Sequence, residues 1–69
     1  MEALQISLAA ARVNANMTQE AVSKALHVGK QTIVRWEKGI STPSFITLAA
    51  LSNLYGIPVD NILLPEKST

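Results

Sequence analysis

The chain of 69 residues contains no cysteine, and it has only three glycines, three prolines and three aromatic residues. Without cysteine, neither a disulfide framework nor a cysteine-based zinc site is available to stabilise it. The scarcity of glycine and proline, with no low-complexity run, argues against a disordered chain. A domain this small buries only about 60% of its unfolded surface, so its stability must come from apolar packing. The 48% hydrophobic content is consistent with that.

Charge is also sparse, because 16% of the residues are charged and the formal net charge is +1. No apolar run approaches the roughly 20 residues of a membrane-spanning helix. The start, Met1-Glu2-Ala3-Leu4, lacks the basic segment of a signal peptide. We therefore expect a cytoplasmic protein with no membrane partner. The slight positive charge does not by itself indicate a nucleic-acid partner, so the distribution of charge must decide.

Four breaks divide the chain into segments of helical length, and alternation of β-branched residues is absent. The pattern predicts an all-α, compact five-helix bundle. The five predicted helices cover about 3–13, 18–26, 30–38, 44–55 and 59–64. We expect one domain over 1–65 and a frayed tail over 66–69.

Local signals support the predicted helix ends. Thr18 and Ser44 are good N-cap residues, and Gly39 and Gly56 are suitable residues just past a helix end. Pro65 stops the fifth helix. Apolar residues at helical spacing within these segments are predicted to form the core, namely Leu4, Leu8, Val22, Leu26, Leu48, Leu51 and Ile62.

The second and third predicted helices are separated by only three or four residues, and a turn of that length holds two helices at a steep angle. Apolar residues occur where a helix-turn-helix requires them, on one face of each helix and at the turn between them. These residues are Val22, Leu26, Val28, Ile33 and Trp36.

The opposite side of the third helix is polar and cationic. At about 100° per residue, Gln31, Arg35 and Lys38 point away from Ile33 and Trp36. Val34 lies beside them, and Lys30 and Thr32 flank the same side near the N-terminus. Amide, guanidinium, ammonium and small apolar groups are those that read base edges in the major groove. A merely solvated face is the common alternative for any one helix, but the spacing in the second helix favours DNA recognition.

At these residues the sequence resembles the Cro and phage-repressor type of helix-turn-helix transcriptional regulators. The resemblance covers about Leu4 to Leu64 and implies a lambda-repressor-like DNA-binding domain with its helix-turn-helix at helices two and three. The matching positions are Arg12, Met17-Thr18-Gln19-Glu20-Ala21, Thr32-Ile33-Val34-Arg35-Trp36-Glu37-Lys38-Gly39, Thr42-Pro43-Ser44 and Leu54-Tyr55-Gly56-Ile57-Pro58-Val59-Asp60-Asn61-Ile62-Leu63.

The resemblance also implies roles for particular residues. Gln19 matches a glutamine that touches phosphate, and Arg12 and Glu37 match a partly buried salt bridge that we expect to be structural. The whole expected DNA-binding set is Gln19, Lys30, Gln31, Thr32, Val34, Arg35, Lys38, Ser41, Thr42 and Ser44.

Four positions depart from the family pattern. Ser23 stands where alanine is usual, His27 replaces the glycine of the turn, and Gly29 and Pro58 replace capping hydroxyl residues. A histidine is among the residues better tolerated at positive φ. With no second histidine and no cysteine, His27 is expected to be a structural turn residue, and we expect no metal site and no cofactor.

We therefore expect sequence-specific binding of double-stranded DNA by a transcriptional regulator, with repression favoured and helix three, about 30–38, in the major groove. The alternative is a protein-binding helical module of the same fold, such as an antitoxin, antirepressor or adaptor. The sequence groups no catalytic residues, so no enzyme activity is expected, and no small-molecule effector is evident.

The modest charge predicts few phosphate contacts per subunit, which favours a homodimer on two half-sites. Two surfaces are candidates for the dimer contact. One lies on the fourth and fifth helices, with Tyr55, Val59, Leu63 and Leu64, and the other is a stripe of Ile6 and Val13 on the first helix. Ordinary core packing remains an equally good reading of both groups.

Overall fold

A computed structural model describes residues 5–65 of the chain. Within them lie four α-helices, one 3-10 turn and two short strands. In chain order these are β1 (Ile6–Ser7), α1 (Leu8–Asn14), α2 (Gln19–Leu26), α3 (Lys30–Lys38), α4 (Phe45–Tyr55), the 3-10 turn (Val59–Asn61) and β2 (Ile62–Leu63). None of these helices is both long enough and apolar enough to span a bilayer.

The predicted bounds of α2, α3 and α4 are confirmed, because local capping sets them. The Thr18 hydroxyl oxygen accepts a hydrogen bond from the Ala21 amide at 3.0 Å, and Ser44 does the same for the amide of Thr47 at 3.2 Å. At the other ends Gly39 and Gly56 adopt left-handed conformations with φ of 80° and 71°. These conformations end α3 and α4 without the steric cost that a Cβ atom would bring.

The predicted fifth helix over 59–64 is wrong, and the bundle has four α-helices. After Pro58 the chain makes only a 3-10 turn, and Ile62 and Leu63 are then extended. They form β2, which pairs in parallel with β1, so that Ile62 lies opposite Ile6. Because each strand contains only two residues, the fold is still classed as all-α. The ladder ties the end of the described chain to its beginning.

The first helix also begins later than predicted, at Leu8 rather than at Ala3. The Ser7 hydroxyl oxygen accepts a hydrogen bond from the Ala10 amide at 3.1 Å and caps the helix there. A serine before an alanine-rich run is a start signal, and it outweighs the apolar spacing upstream. The predicted core residue Leu4 and the predicted tail 66–69 lie outside the described residues.

The core lies between the four helices and β2. Of the residues predicted for it, Leu26 is half-buried and packs against the core, while the other described ones are buried. Ser23 is also buried, and its hydroxyl donates to the Glu20 carbonyl at 2.9 Å, which satisfies it where α2 meets α3. The buried apolar residues are Leu8, Ala11, Val22, Ile33, Trp36, Leu48, Leu51, Tyr55 and Ile62.

The turn between α2 and α3 contains a residue in a strained conformation. His27 has φ 57° and ψ 42°, the left-handed region that disfavours a side chain. We expect His27→Gly to raise the free energy of unfolding by about 0.5–1 kcal/mol, after the greater flexibility of glycine in the unfolded chain is subtracted. Asn16→Gly is the matched control, because Asn16 has φ 59° and asparagine tolerates this region better. Urea unfolding should therefore show a larger gain at His27 than at Asn16.

Candidate DNA-binding interface

The rotation of α3 about its axis is fixed by two inward side chains. Ile33 is 1% exposed and Trp36 is 9% exposed, and both belong to the core. The outward side of α3, which we define as Lys30, Gln31, Arg35 and Lys38, is exposed along the whole helix. The two remaining predicted contact residues on this helix, Thr32 and Val34, are half-buried.

The outward side of α3 carries positive charge that no carboxylate among the described residues pairs with. In the part of the chain that the structure describes, no acidic side chain forms an ion pair with Lys30, Arg35 or Lys38. The single acidic residue of α3, Glu37, bonds to Arg12 on α1 instead. Three cationic side chains within nine residues therefore give this side a local positive charge, although the net charge of the whole chain is only +1.

The segment that follows α3 is held against the end of that helix. The amides of Ile40 and Ser41 both donate to the Arg35 carbonyl, at 3.0 and 3.4 Å. Thr42 and Ser44 are exposed, and Ser41 is half-buried. The segment 41–44 therefore lies beside the C-terminal end of the outward side of α3, with exposed hydroxyl groups at its surface.

A partly buried polar network joins α1, α2 and α3. The Arg12 Nε donates to Glu37 Oε2 at 2.7 Å, and its Nη2 donates to Glu37 Oε1 at 3.3 Å. The Arg12 Nη1 donates to the Met17 carbonyl at 2.9 Å, in the turn before α2. The two side chains are only 15% and 8% exposed. A pair this buried and bidentate fixes the relative positions of the elements it joins.

Gln19, the first residue of α2, is the third member of this network. Its Nε2 donates to Glu37 Oε1 at 3.0 Å. Because a carboxylate can only accept, Glu37 fixes which end of the Gln19 amide faces inward. Sequence reasoning missed this contact, since 18 residues separate the partners and no local spacing rule connects them.

The charges of this network act on neighbouring groups. The hydrogen bond to Glu37 raises the pKa of Arg12 above its usual value. Burial, and then the negative charge of Glu37, raise the pKa of the Tyr55 hydroxyl to about 12. Tyr55 is the one tyrosine in the chain, so its titration can be followed without overlap.

We expect the absorbance of tyrosinate at 295 nm to appear with a midpoint near pH 12 in the folded chain. The unfolded value is about 10, so the protonated hydroxyl favours the folded state. That contribution is complete below about pH 10 and is lost as the pH rises towards about 12. Tyr55→Phe should lessen the loss of thermal stability over this window. A midpoint near pH 10 in the folded protein would contradict the burial of this hydroxyl.

The structure corrects one predicted dimer surface. Tyr55 is only 6% exposed and belongs to the core, so it cannot contact another subunit. Val59 and Leu64 are half-buried, and Leu63 is 52% exposed on β2. In the second predicted surface, Ile6 is half-buried and Val13 is 62% exposed.

Residues 8–62 match the model of a protein family described as helix-turn-helix. The matched range runs from the first residue of α1 to the first residue of β2. It therefore contains the two helices of the helix-turn-helix, the partly buried network and the outward side of α3.

Individual relatives have names consistent with that match. The chain is 35% identical over 52 residues to the cryptic phage CTXphi transcriptional repressor RstR of Vibrio cholerae. It is 30% identical over 56 residues to the HTH-type transcriptional activator BcrR of Enterococcus faecalis. It is also 35% identical over 51 residues to an uncharacterized HTH-type transcriptional regulator of Methanocaldococcus jannaschii.

The three alignments cover similar parts of this chain but very different parts of the relatives. They span 75%, 81% and 74% of the chain, in the same order. They span only 47% of the repressor and 28% of the activator, and 77% of the archaeal regulator. The similarity thus covers less than half of the length of the first two relatives.

Proposed function

The chain belongs to this helix-turn-helix family, and from that premise we propose that it is a transcriptional regulator that binds double-stranded DNA with sequence specificity. Helix α3 enters the major groove with its outward side towards the bases. The DNA-binding unit in this proposal is the domain over 1–65.

The observation that carries this proposal is the set of exposed donors on α3, which form no ion pair with any residue in 5–65. Arg35 is exposed at the middle of the outward side and can donate two parallel hydrogen bonds to a guanine. Gln31 lies one turn earlier on the same side, and its amide can pair with an adenine. Lys30 and Lys38 at the two ends supply charge for base edges or phosphates.

Phosphate contacts on both sides of α3 complete the proposed interface. Gln19 presents its amide at the start of α2, in the orientation that Glu37 fixes. Ser41, Thr42 and Ser44 provide hydroxyl groups beyond the other end of α3. Such contacts set the register of the helix on the duplex, while the base contacts carry the specificity.

The proposed regulator acts as a homodimer on two half-sites. Repression is the simpler mode for such a domain, since bound protein can exclude the polymerase without a further contact. The repressor relative is consistent with this mode, although the activator relative shows that the family contains both. No effector is included in the proposal.

The salt dependence of duplex binding tests this proposal. We expect Lys30, Arg35 and Lys38 to be the cations that contact phosphates or bases. A plot of log Kd against the logarithm of the salt concentration should then have a slope of at most about 2.7 per subunit. If the chain binds a protein partner and not DNA, no duplex binding should be seen at any salt concentration. That outcome would favour the antitoxin, antirepressor or adaptor alternative.

A further inference from the structure

Helix α4 carries an apolar surface on the side away from the core. We call this surface the α4 outer face and define it as Phe45, Ile46, Ala49, Ala50 and Asn53. These positions fall within one sector of the helix at 100° per residue, and all five residues are exposed. Phe45 is 73% exposed and Ile46 is 82% exposed, more than any other large apolar side chain in residues 5–65.

The composition of α4 is unusual for a helix at the surface. Its inner side contributes Leu48, Leu51 and Tyr55 to the core, as expected. Its outer side should then be polar or charged, yet α4 contains no charged residue. The uncharged stretch extends from Gly39 to Val59. A helix that is apolar on both sides is typical of one that is covered on both sides.

We propose that the α4 outer face is the contact between two copies of this chain. The inference deepens the proposed function, on which it rests, by naming the surface that joins the two subunits on DNA. One of the surfaces that the sequence suggested also includes the fourth helix, but the α4 outer face lies on another side of it and uses none of the residues named there.

The absence of charge favours a second copy over an unrelated partner. In a two-fold symmetric contact each residue near the axis meets its own equivalent, so any charge there would face a like charge. The α4 outer face contains only apolar side chains and one neutral amide. It is therefore compatible with itself, whereas nothing on it offers the charged groups that select a dissimilar partner.

The dimensions of the chain also support a second copy as the partner of the α4 outer face. Its principal extents are 37, 30 and 20 Å. Subunits of a dimeric helix-turn-helix protein lie about 34–36 Å apart on half-sites one helical turn apart. Two copies with that spacing are in contact or nearly so. The α4 outer face begins directly after the segment 41–44, so it lies close to the proposed DNA surface without being part of it.

The test uses the double variant Phe45→Asn with Ile46→Asn, which removes the apolar side chains without changing the charge near DNA. Val13→Asn and Leu63→Asn are the matched controls, since both remove exposed apolar side chains elsewhere. Sedimentation equilibrium gives the dimer dissociation constant of each protein. Binding to duplexes with one and with two half-sites gives the half-site affinity and the cooperativity separately.

We expect the double variant to raise the dimer dissociation constant by about tenfold or more, and to lose cooperativity while keeping its half-site affinity. Both controls should behave as the unaltered chain. The inference would be overturned if the double variant dimerises as the unaltered chain does, or if either control loses the dimer. It would also be overturned if the unaltered chain is monomeric and binds without cooperativity. An unaltered chain that dimerises but binds neither duplex would instead contradict the proposed function.

Discussion

Replacing Arg35 by alanine is expected to weaken specific duplex binding by about 1–3 kcal/mol, a factor of roughly 5 to 150. Arg35 is exposed and makes no ion pair within the described residues, so its removal leaves the core unchanged. What is lost is a bidentate contact to a base, and the preference at that base pair should relax. Titration of a duplex carrying the preferred site measures the effect, and circular dichroism verifies the fold.

Lys24→Ala is the control for simple loss of positive charge. Lys24 is an exposed cation on α2, and it pairs with Glu20 at 3.6 Å rather than pointing outward with α3. Its removal should change specific binding far less than that of Arg35. The double variant Gln31→Ala with Arg35→Ala should retain the fold and lose specific binding. Unchanged affinity of the Arg35 variant would remove that residue from the interface.

Glu37→Ala is expected to have the largest effect on stability, a loss of about 3–5 kcal/mol. The substitution leaves the partly buried Arg12 guanidinium without its partner and removes the acceptor of the Gln19 amide. For a domain of this size the melting temperature should fall by more than roughly 12 °C. Arg12→Met combined with Glu37→Met should recover part of this loss, because no unpaired charge then remains.

Glu20→Ala provides the comparison with an exposed pair. Glu20 and Lys24 have side chains that are 64% and 77% exposed, and pairs of this kind contribute about 0.3–0.5 kcal/mol. In thermal unfolding, the loss of stability should therefore be several times larger for the Glu37 variant than for the Glu20 variant. A Glu37 variant that keeps its stability but loses DNA affinity would reassign Glu37 from the structural network to the interface.

The parts of the fold that the sequence predicted correctly are those set by local interactions. Thr18 and Ser44 cap helices through hydrogen bonds to residues three positions later, and Gly39 ends α3 through its own backbone conformation. Such signals are complete within a few residues. The inward position of Ile33 and Trp36 followed from helical periodicity alone, and it determines which side chains of α3 face outward.

The fifth helix was mispredicted because a non-local interaction decides the conformation there. Ile62 and Leu63 pair with Ile6 and Ser7, more than fifty residues earlier in the chain. No window around residue 62 contains the partner strand, so helical spacing was the stronger local signal. The Gln19 contact with Glu37 was missed for the same physical reason.

The sequence did not indicate the α4 outer face, because apolar residues lie on both sides of this helix and their spacing does not mark an exposed side. Helical spacing correctly placed Leu48 and Leu51 in the core, but Phe45 and Ile46 are also apolar, and the spacing did not indicate that they lie outside it. Only the packing of α4 against the remainder of the domain leaves Phe45 and Ile46 outside.

Selection of bound sequences from random duplex DNA tests the central claim most directly, namely that the outward side of α3 reads bases. The unaltered chain should enrich a two-fold symmetric sequence with two half-sites about one helical turn apart. The Gln31→Ala, Arg35→Ala double variant should enrich none, while Lys24→Ala should enrich the same sequence as the unaltered chain. Enrichment of an identical sequence by the double variant, or of no sequence by the unaltered chain, would contradict the account.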